Sequence, residues 1–324
     1  MKAVEICVNT KQILGGQSVT YGVVHSVFQQ VCNIETKEGA FIPLISHRMP
    51  PMPMAISFCI PSPLTMVSLG LEKGQRIIIQ NWVLEMKESK FRLELEEARV
   101  WDGKPRLDFS KIKEEDFLKN IEFLRKILLE NGKLQGIAAL IADFDKFMEP
   151  SVYGREEEGN YPYREFIWPR IQKLLQWIWK EELQEISSAA KQIIGFGPGL
   201  TPAADDLLAG MMIAMVYGAV YHGFDHRRVW AINQAMIEGA KNRTTRVSGE
   251  MLSFAAVGEA SEDIRQLMVS IYSKTNATGL IKEIFSVLGH GETSGSDLLA
   301  GIYMGCKLSL WKNKERVVEK CARV

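Results

Sequence analysis

The stretch Gly195–Tyr221, GFGPGLTPAADDLLAGMMIAMVYGAVY, decides how the rest of the chain is read. Its second half, Leu207–Tyr221, carries no charge and begins directly after Asp205 and Asp206. The run is shorter than the roughly 20 residues of a membrane-spanning helix, so it reads as a buried core helix. Its first half is built to start that helix. Thr201 followed by Pro202 is the pattern of an N-cap and a first-turn residue, because proline lacks only a donor that the first turn does not use. Gly195, Gly197 and Gly199 let the preceding backbone take positive φ and approach a ligand closely. The free amides of Gly197, Gly199 and Leu200, with the Thr201 hydroxyl, then suit a phosphate or carboxylate at the positive end of the helix dipole. No Gly-Lys-Ser/Thr follows, so this is not a nucleotide-binding P-loop.

The pentapeptide Asp-Leu-Leu-Ala-Gly recurs outward from this point, at Asp206–Gly210 and at Asp297–Gly301. Each copy follows a short Gly/Thr/Ser loop and opens an apolar helix, which predicts two equivalent helix starts facing one site. The second loop is Gly289–Asp297, GHGETSGSD. It offers Thr293, Ser294 and Gly295 for binding, and His290 as a general acid/base or a metal ligand. Asp205, Asp206, Asp297 and His290 are the catalytic candidates. The adjacent acids would repel an anion unless something intervenes. A divalent cation such as Mg²⁺ can bridge carboxylate and phosphate, an Asp can orient or deprotonate a substrate nitrogen, or an Asp can accept hydrogen bonds from the loop amides. No other cofactor is indicated.

Between the two loops lies Lys241–Ser248, KNRTTRVS. Arg243 and Arg246 are three apart and would face one way on a helix, offering bidentate anion binding. Thr244, Thr245 and Ser248 add neutral donors, with Thr244 and Ser248 one turn apart. His222 and His226 flank Gly223, which predicts a helix end at the surface and no zinc site.

The remaining chain divides by periodicity. Residues 20–101 hold short Val/Ile/Phe-rich runs (VVHSVFQQVCNIE, AFIPLIS, AISFCI, QRIIIQNWVLEM, FRLELEEARVW) separated by Gly and Pro turns. They predict a small antiparallel sheet or barrel with its prolines at edges or turns. After Asp102-Gly103 the spacing of Phe117, Ile121, Leu124 and Leu128 becomes helical, with a stop at Asn131-Gly132 and a second helix over 134–148. Residues 153–163, with acids at Glu156–Glu158, read as an exposed loop, and from Arg164 to Trp311 the pattern is helical. The expected fold is α+β: a β-rich N-terminal sheet or barrel domain over 1–110, then a mainly α-helical domain over 111–324 that carries the site.

The bulk properties exclude several classes. Lys+Arg and Asp+Glu are balanced at 39 each, so no net field draws the chain to nucleic acid or an anionic membrane. Five dispersed cysteines without a C-x-x-C pair argue against a disulfide framework. The opening MKAVEICVNTKQILGG lacks the apolar core of a secretory signal. A soluble, cytoplasmic protein is expected.

Three stretches, GFGPGLTPAADDLLAG (Gly195–Gly210), NRTTRVS (Asn242–Ser248) and GHGETSGSDLLAG (Gly289–Gly301), together resemble the AllH-like family, named for a subunit of oxamate carbamoyltransferase in bacterial allantoin degradation. The chain departs from the family pattern at Ala203-Ala204, where relatives usually carry Ser-Gly. The resemblance implies carbamoyl transfer between carbamoyl phosphate and an oxamate- or oxalurate-like acid, within a hetero-oligomeric enzyme. Two other readings of the residues stand beside it. One is a non-catalytic subunit that binds a small anion or serves assembly. The other is a divalent-metal-dependent hydrolase or phosphotransferase using the paired aspartates.

Overall fold

The computed structural model describes residues 1–149 and 162–322. Most of the acidic loop expected at 153–163 lies outside them. The chain forms two compact units, Met1–Lys104 and Pro105–Val324.

The first unit is a nine-stranded curled sheet in the order β8-β7-β6-β2-β3-β4-β5-β1-β9. Its strands are β1 (Ala3–Cys7), β2 (Val19–Val27), β3 (Val31–Thr36), β4 (Phe41–Ser46), β5 (Ile56–Phe58), β6 (Arg76–Gln80), β7 (Val83–Met86), β8 (Phe91–Glu94) and β9 (Arg99–Trp101). The sheet curls until Lys2 meets Glu94 in a single parallel bridge, so β8 and the start of β1 nearly close it into a barrel. Curling serves burial, because Ile34, Ile42, Leu44, Ile56, Leu84 and Leu93 all turn inward to full or nearly full burial.

Four features of this unit differ from the sequence reading. The sheet is mixed rather than antiparallel, since β4 pairs with β5 and β1 with β9 in parallel. Pro43 stands inside β4 rather than at a turn. It is tolerated because β5 pairs only from Leu44 onward, leaving Pro43 opposite Asn33 of β3 alone. The run QRIIIQNWVLEM holds a hairpin whose two turn residues, Asn81 (φ 50°) and Trp82 (φ 58°), are left-handed without a glycine to announce them. A helix, α1 (Val8–Gly15), follows β1 and had no signal in the apolar pattern.

The second unit is helical: α2 (Glu114–Asn131), α3 (Ile141–Met148), α4 (Arg164–Lys180), α5 (Leu183–Ala190), α6 (Ala203–His222), α7 (His226–Ile237), α8 (Arg246–Ala255), α9 (Glu262–Ser273), α10 (Ile281–Leu288) and α11 (Ser294–Ala322). The second helix expected at 134–148 is instead a 3-10 turn, Ile137–Leu140, leading into α3. The helix α6 is long and apolar enough to span a membrane by composition, yet it is buried along nearly its whole length, as a core helix must be.

Its partner in the core is α11, and the two run parallel. A Cβ at Gly210 would collide with the Leu298 carbonyl, and one at Gly301 with the Leu207 carbonyl. Leu207 and Leu298, like Gly210 and Gly301, hold the same places in the two Asp-Leu-Leu-Ala-Gly copies, so the contact is reciprocal. Further along, Gly305 approaches Met211 and Gly218 approaches Ser309, both in the same register. Backbone meets backbone with no side chain between, which sets the helices closer than larger residues permit.

Gly210→Ala should therefore force the pair apart and destabilise by about 1–3 kcal/mol, the usual cost of overpacking, although alanine is the better helix former. Gly249→Ala in α8 meets only open space and a distant Thr244 methyl. It should stabilise by about 0.5–1 kcal/mol from helix propensity alone. Urea unfolding midpoints of the two variants should move in opposite directions.

Candidate functional site

Because α6 and α11 are parallel and in register, both N-termini lie at one end of the core. Asp206 and Asp297 sit at equivalent places in the two first turns, 2% and 0% exposed. The Asp206 amide bonds the Pro202 carbonyl, and the Asp297 amide bonds the Thr293 carbonyl, so the two starts share their hydrogen bonding as well as their sequence. Pro202, not Thr201, is the N-cap residue of α6. The Thr201 hydroxyl is turned across to the other helix and lies 3.1 Å from the Ser294 hydroxyl. Two macrodipoles thus converge on one small polar region.

The three aspartates have different surroundings. Asp205 is fully satisfied: its Oδ1 accepts the Gly195 amide at 2.8 Å, and its Oδ2 accepts the hydroxyls of Ser248 (2.6 Å) and Thr244. It fastens the glycine loop to the start of α8. Gly195 has φ +81°, and a Cβ there would strike the Arg243 carbonyl, so this close junction requires glycine. Thr245 caps α8 through the Ser248 amide and donates its hydroxyl to the Leu200 carbonyl, making a second fastening. Thr244, Thr245 and Ser248 therefore spend their polar groups on Asp205 and the loop.

Asp206 and Asp297 each retain a buried Oδ2 with no hydrogen-bond partner. Burial raises the Asp206 carboxyl to about 8; the charges of Asp297 and Asp205 add to the rise, while the Ser294 and Thr201 hydroxyls oppose it. Burial also raises Asp297, to about 6, against the amides of Ala138 and Ile137 and the Thr293 hydroxyl. The Asp297 Oδ1 accepts the Ala138 amide at 2.8 Å, and Gly136 packs directly on the carboxyl, leaving no room for a side chain. Lys133 belongs to the same loop. Its amide bonds the Ser296 hydroxyl at 2.8 Å, and its Nζ lies 3.5 Å from the Gly291 carbonyl. Residues 133–138 had no motif to mark them.

His290 is held by Asp263, Nε2 to Oδ2 at 2.6 Å. Burial pushes Asp263 up, but the His290 bond and charge, the Ser261 hydroxyl and the Ile264 amide carry it below the ordinary carboxylate value. Asp263 comes from α9 and was not among the sequence candidates. The next residue, Gly291, packs near the Ser294 hydroxyl, which links the His290 turn to the helix starts. Gly295 packs against the Val287 carbonyl and serves the turn itself.

The arginines do not converge as their spacing suggested. Arg243 precedes α8 and donates to the Lys191 carbonyl at 2.9 Å, while Arg246 begins α8 and pairs with Glu250 at 2.8 Å. Arg243 lines an open cavity of about 580 Å³ with Phe166, Lys191, Gln192, Gly195 and Phe196, the last two from the glycine loop. Gly197 (φ +115°) and Gly199 (φ +98°) form the loop above α6, with Gly199 and Leu200 exposed. Among the described residues no three His, Cys, Asp or Glu side chains are grouped to hold a metal. His222 is half-buried, packed against Phe117, Tyr221 and Phe224, and burial pulls its pKa down to about 4, while Gly223 and His226 are exposed. Gly223 ends α6 with φ 70°.

A curled nine-stranded unit followed by a helical unit, with twin helix starts carrying buried carboxyls, defines a two-unit α+β protein with one composite polar site. The chain belongs to the AllH family: residues 193–306 match the model of oxamate carbamoyltransferase subunit AllH, and residues 2–100 match the AllH family N-terminal domain. The first match includes both Asp-Leu-Leu-Ala-Gly copies and the Asn242–Ser248 stretch; residues 133–138 fall outside both. No solved structure gives a significant match.

Two expectations separate the fastening aspartate from the orphaned ones. Asp205→Ala strands three donors and should cost about 2–4 kcal/mol in denaturant unfolding. Asp206 and Asp297 hold their protons more tightly in the folded chain than in the unfolded one. Their contribution to stability is therefore greatest below about pH 4 and is lost as pH rises through about 6 (Asp297) and about 8 (Asp206). Asp206→Asn removes the Asp206 share of that loss. Its stability relative to the parent should rise between pH 4 and 8, as followed by unfolding at several pH values.

Proposed function

We propose that this chain is a cytoplasmic subunit of a carbamoyltransferase-type enzyme, working with other subunits on carbamoyl phosphate and an oxamate- or oxalurate-like small acid. The observation that carries the reading is the pair of unpartnered buried carboxyl oxygens, Asp206 Oδ2 and Asp297 Oδ2, at two converging helix N-termini. Membership in a family named for an oxamate carbamoyltransferase subunit supports it. A buried polar atom left without a partner is costly, and a ligand that supplies the partner recovers that cost.

The chemistry fits a substrate that is anionic at one end and an amide at the other. The positive ends of α6 and α11, the amides of Gly197, Gly199 and Leu200 and the Lys133 ammonium favour the anion. The carboxyls favour the nitrogen. In the transfer, the substrate nitrogen forms a bond to the carbamoyl carbon, the bond from that carbon to the phosphate oxygen breaks, and the nitrogen gives up a proton. Asp297, the more acidic of the two, receives that proton. Asp206, kept protonated at neutral pH, adds no second negative charge beside the phosphate, which removes the repulsion that two ionised aspartates would impose. No cation is needed to offset it, and Asp205 is occupied elsewhere. Participation in allantoin nitrogen catabolism follows from the same reading.

Carbamoyl phosphate at 100 times its dissociation constant should stabilise the chain by about 2.7 kcal/mol in thermal unfolding, with inorganic phosphate giving less. Asp297→Asn should lose most of that shift while folding normally. No shift in the parent chain, or an equal shift in Asp297→Asn, would refute the assignment of this site.

A further inference from the structure

The sequence marks Arg243 as an anion ligand, yet its side chain takes no part in the hydrogen bonding of the helix starts. Its one hydrogen bond among the described residues is to the Lys191 carbonyl at 2.9 Å, which leaves most of its fork of donors for a ligand. In the open cavity of about 580 Å³ it is joined by a second cation, Lys191, which ends α5. The Lys191 ammonium lies 3.9 Å from Glu238, an exposed carboxylate that already accepts the Ser187 hydroxyl at 2.5 Å, so this pair neutralises little of its charge. None of the described residues lining the cavity is acidic. The wall beside the two cations is aromatic. Phe166 of α4 and Phe196 of the glycine loop stack with ring centroids 5.5 Å apart and planes 22° from parallel, and the Arg170 guanidinium lies 3.7 Å over the Phe166 ring. Phe166 nevertheless remains 47% exposed.

We propose that this cavity binds a mononucleotide, its phosphate on Arg243 and Lys191 and its base against Phe166 and Phe196. A cationic corner alone would fit any small anion. The aromatic wall adds a surface on which a flat base stacks, and stacking tolerates every base because each has a π-face. The rings are already held by one another and by Arg170, so little freedom is lost when a base arrives. A volume of about 580 Å³ lies in the range of pockets that enclose cofactor-sized molecules, well beyond the needs of a bare phosphate. Gln192 supplies an amide able both to donate and to accept at a base edge. Gly195 and Phe196 belong to the loop that Asp205 fastens through the Gly195 amide, so the nucleotide touches that loop at its start, while Thr201 at its end meets Ser294. The inference does not depend on what binds at the helix starts.

Isothermal titration of the full chain with AMP, GMP, CMP and UMP tests it, with inorganic phosphate and the matching nucleosides as partial ligands. At least one nucleotide should bind about 10-fold or more tighter than both phosphate and its own nucleoside, because each partial ligand forfeits either the charged hydrogen bonds or the stack. Arg243→Gln should weaken the nucleotide by about 10-fold or more and leave the nucleoside unchanged. Phe166→Ala, at a half-exposed position that folding tolerates, should weaken nucleotide and nucleoside alike by about 5-fold or more and leave phosphate unchanged. Should Arg243→Gln disturb the fold, Lys191→Met replaces it with the same expected pattern. Asp206→Asn, at the helix starts, should leave nucleotide affinity unchanged. Absence of binding by all four nucleotides, binding no tighter than that of inorganic phosphate, unchanged affinity in either cavity variant, or loss of nucleotide affinity in Asp206→Asn overturns the proposal.

Discussion

The close backbone contact between α6 and α11 is the constraint on which the helical unit depends. Gly210 and Gly301 leave no side chain at the crossing, and each faces the carbonyl of the leucine that precedes the other. Because the contact is reciprocal between the same places of the two repeats, Asp206 and Asp297 lie at the same level. The unsatisfied first-turn amides and the dipoles of the two helices are then brought together whether or not a ligand is present. The repeat of Asp-Leu-Leu-Ala-Gly is the sequence trace of that packing. The leucines and the glycine make the interface, and the aspartate is carried to the site by it.

Burying carboxyls at such a place is costly unless they are paired, and the three aspartates are treated in three ways. Asp205 is paired completely and holds the loop Gly195–Leu200 to α8. Asp297 is paired at one oxygen by a main-chain amide from the 133–138 segment. Asp206 has hydroxyl neighbours and a strongly raised pKa. Adjacent residues in the sequence, Asp205 and Asp206, thus have unlike roles because a helix turns roughly 100° per residue and points them to different neighbours. The loops around them are held by similar means: Thr245 reaches the Leu200 carbonyl, and Ser296 takes the Lys133 amide. The polar region is framed from four separate parts of the helical unit.

The sequence by itself determined a good deal. A charge-free run after two acids is a buried helix wherever it folds, and Ala203–His222 is that helix. Short Val/Ile runs between glycine and proline turns become strands, and the strands from β2 to β9 follow, while β1 (Ala3–Cys7) lay outside the stretch that the pattern marked. The repeated pentapeptide identified two like helix starts, and residues Gly195–Asp206 and Gly289–Asp297 carry the converging groups. What the tertiary structure alone decided are matters of neighbourhood. Spacing placed Arg243 and Arg246 on one helix face, but the helix begins only at Arg246, and each arginine finds a different partner. Spacing could not divide Asp205 from Asp206. Nor could it show Gly136, Ala138 and Lys133 beside Asp297, or Asp263 beside His290, because those contacts join residues more than 20 positions apart and depend on which surfaces pack. The physical reason is that local periodicity encodes which face of an element is buried, whereas the partner met on that face is set by the packing of the whole core.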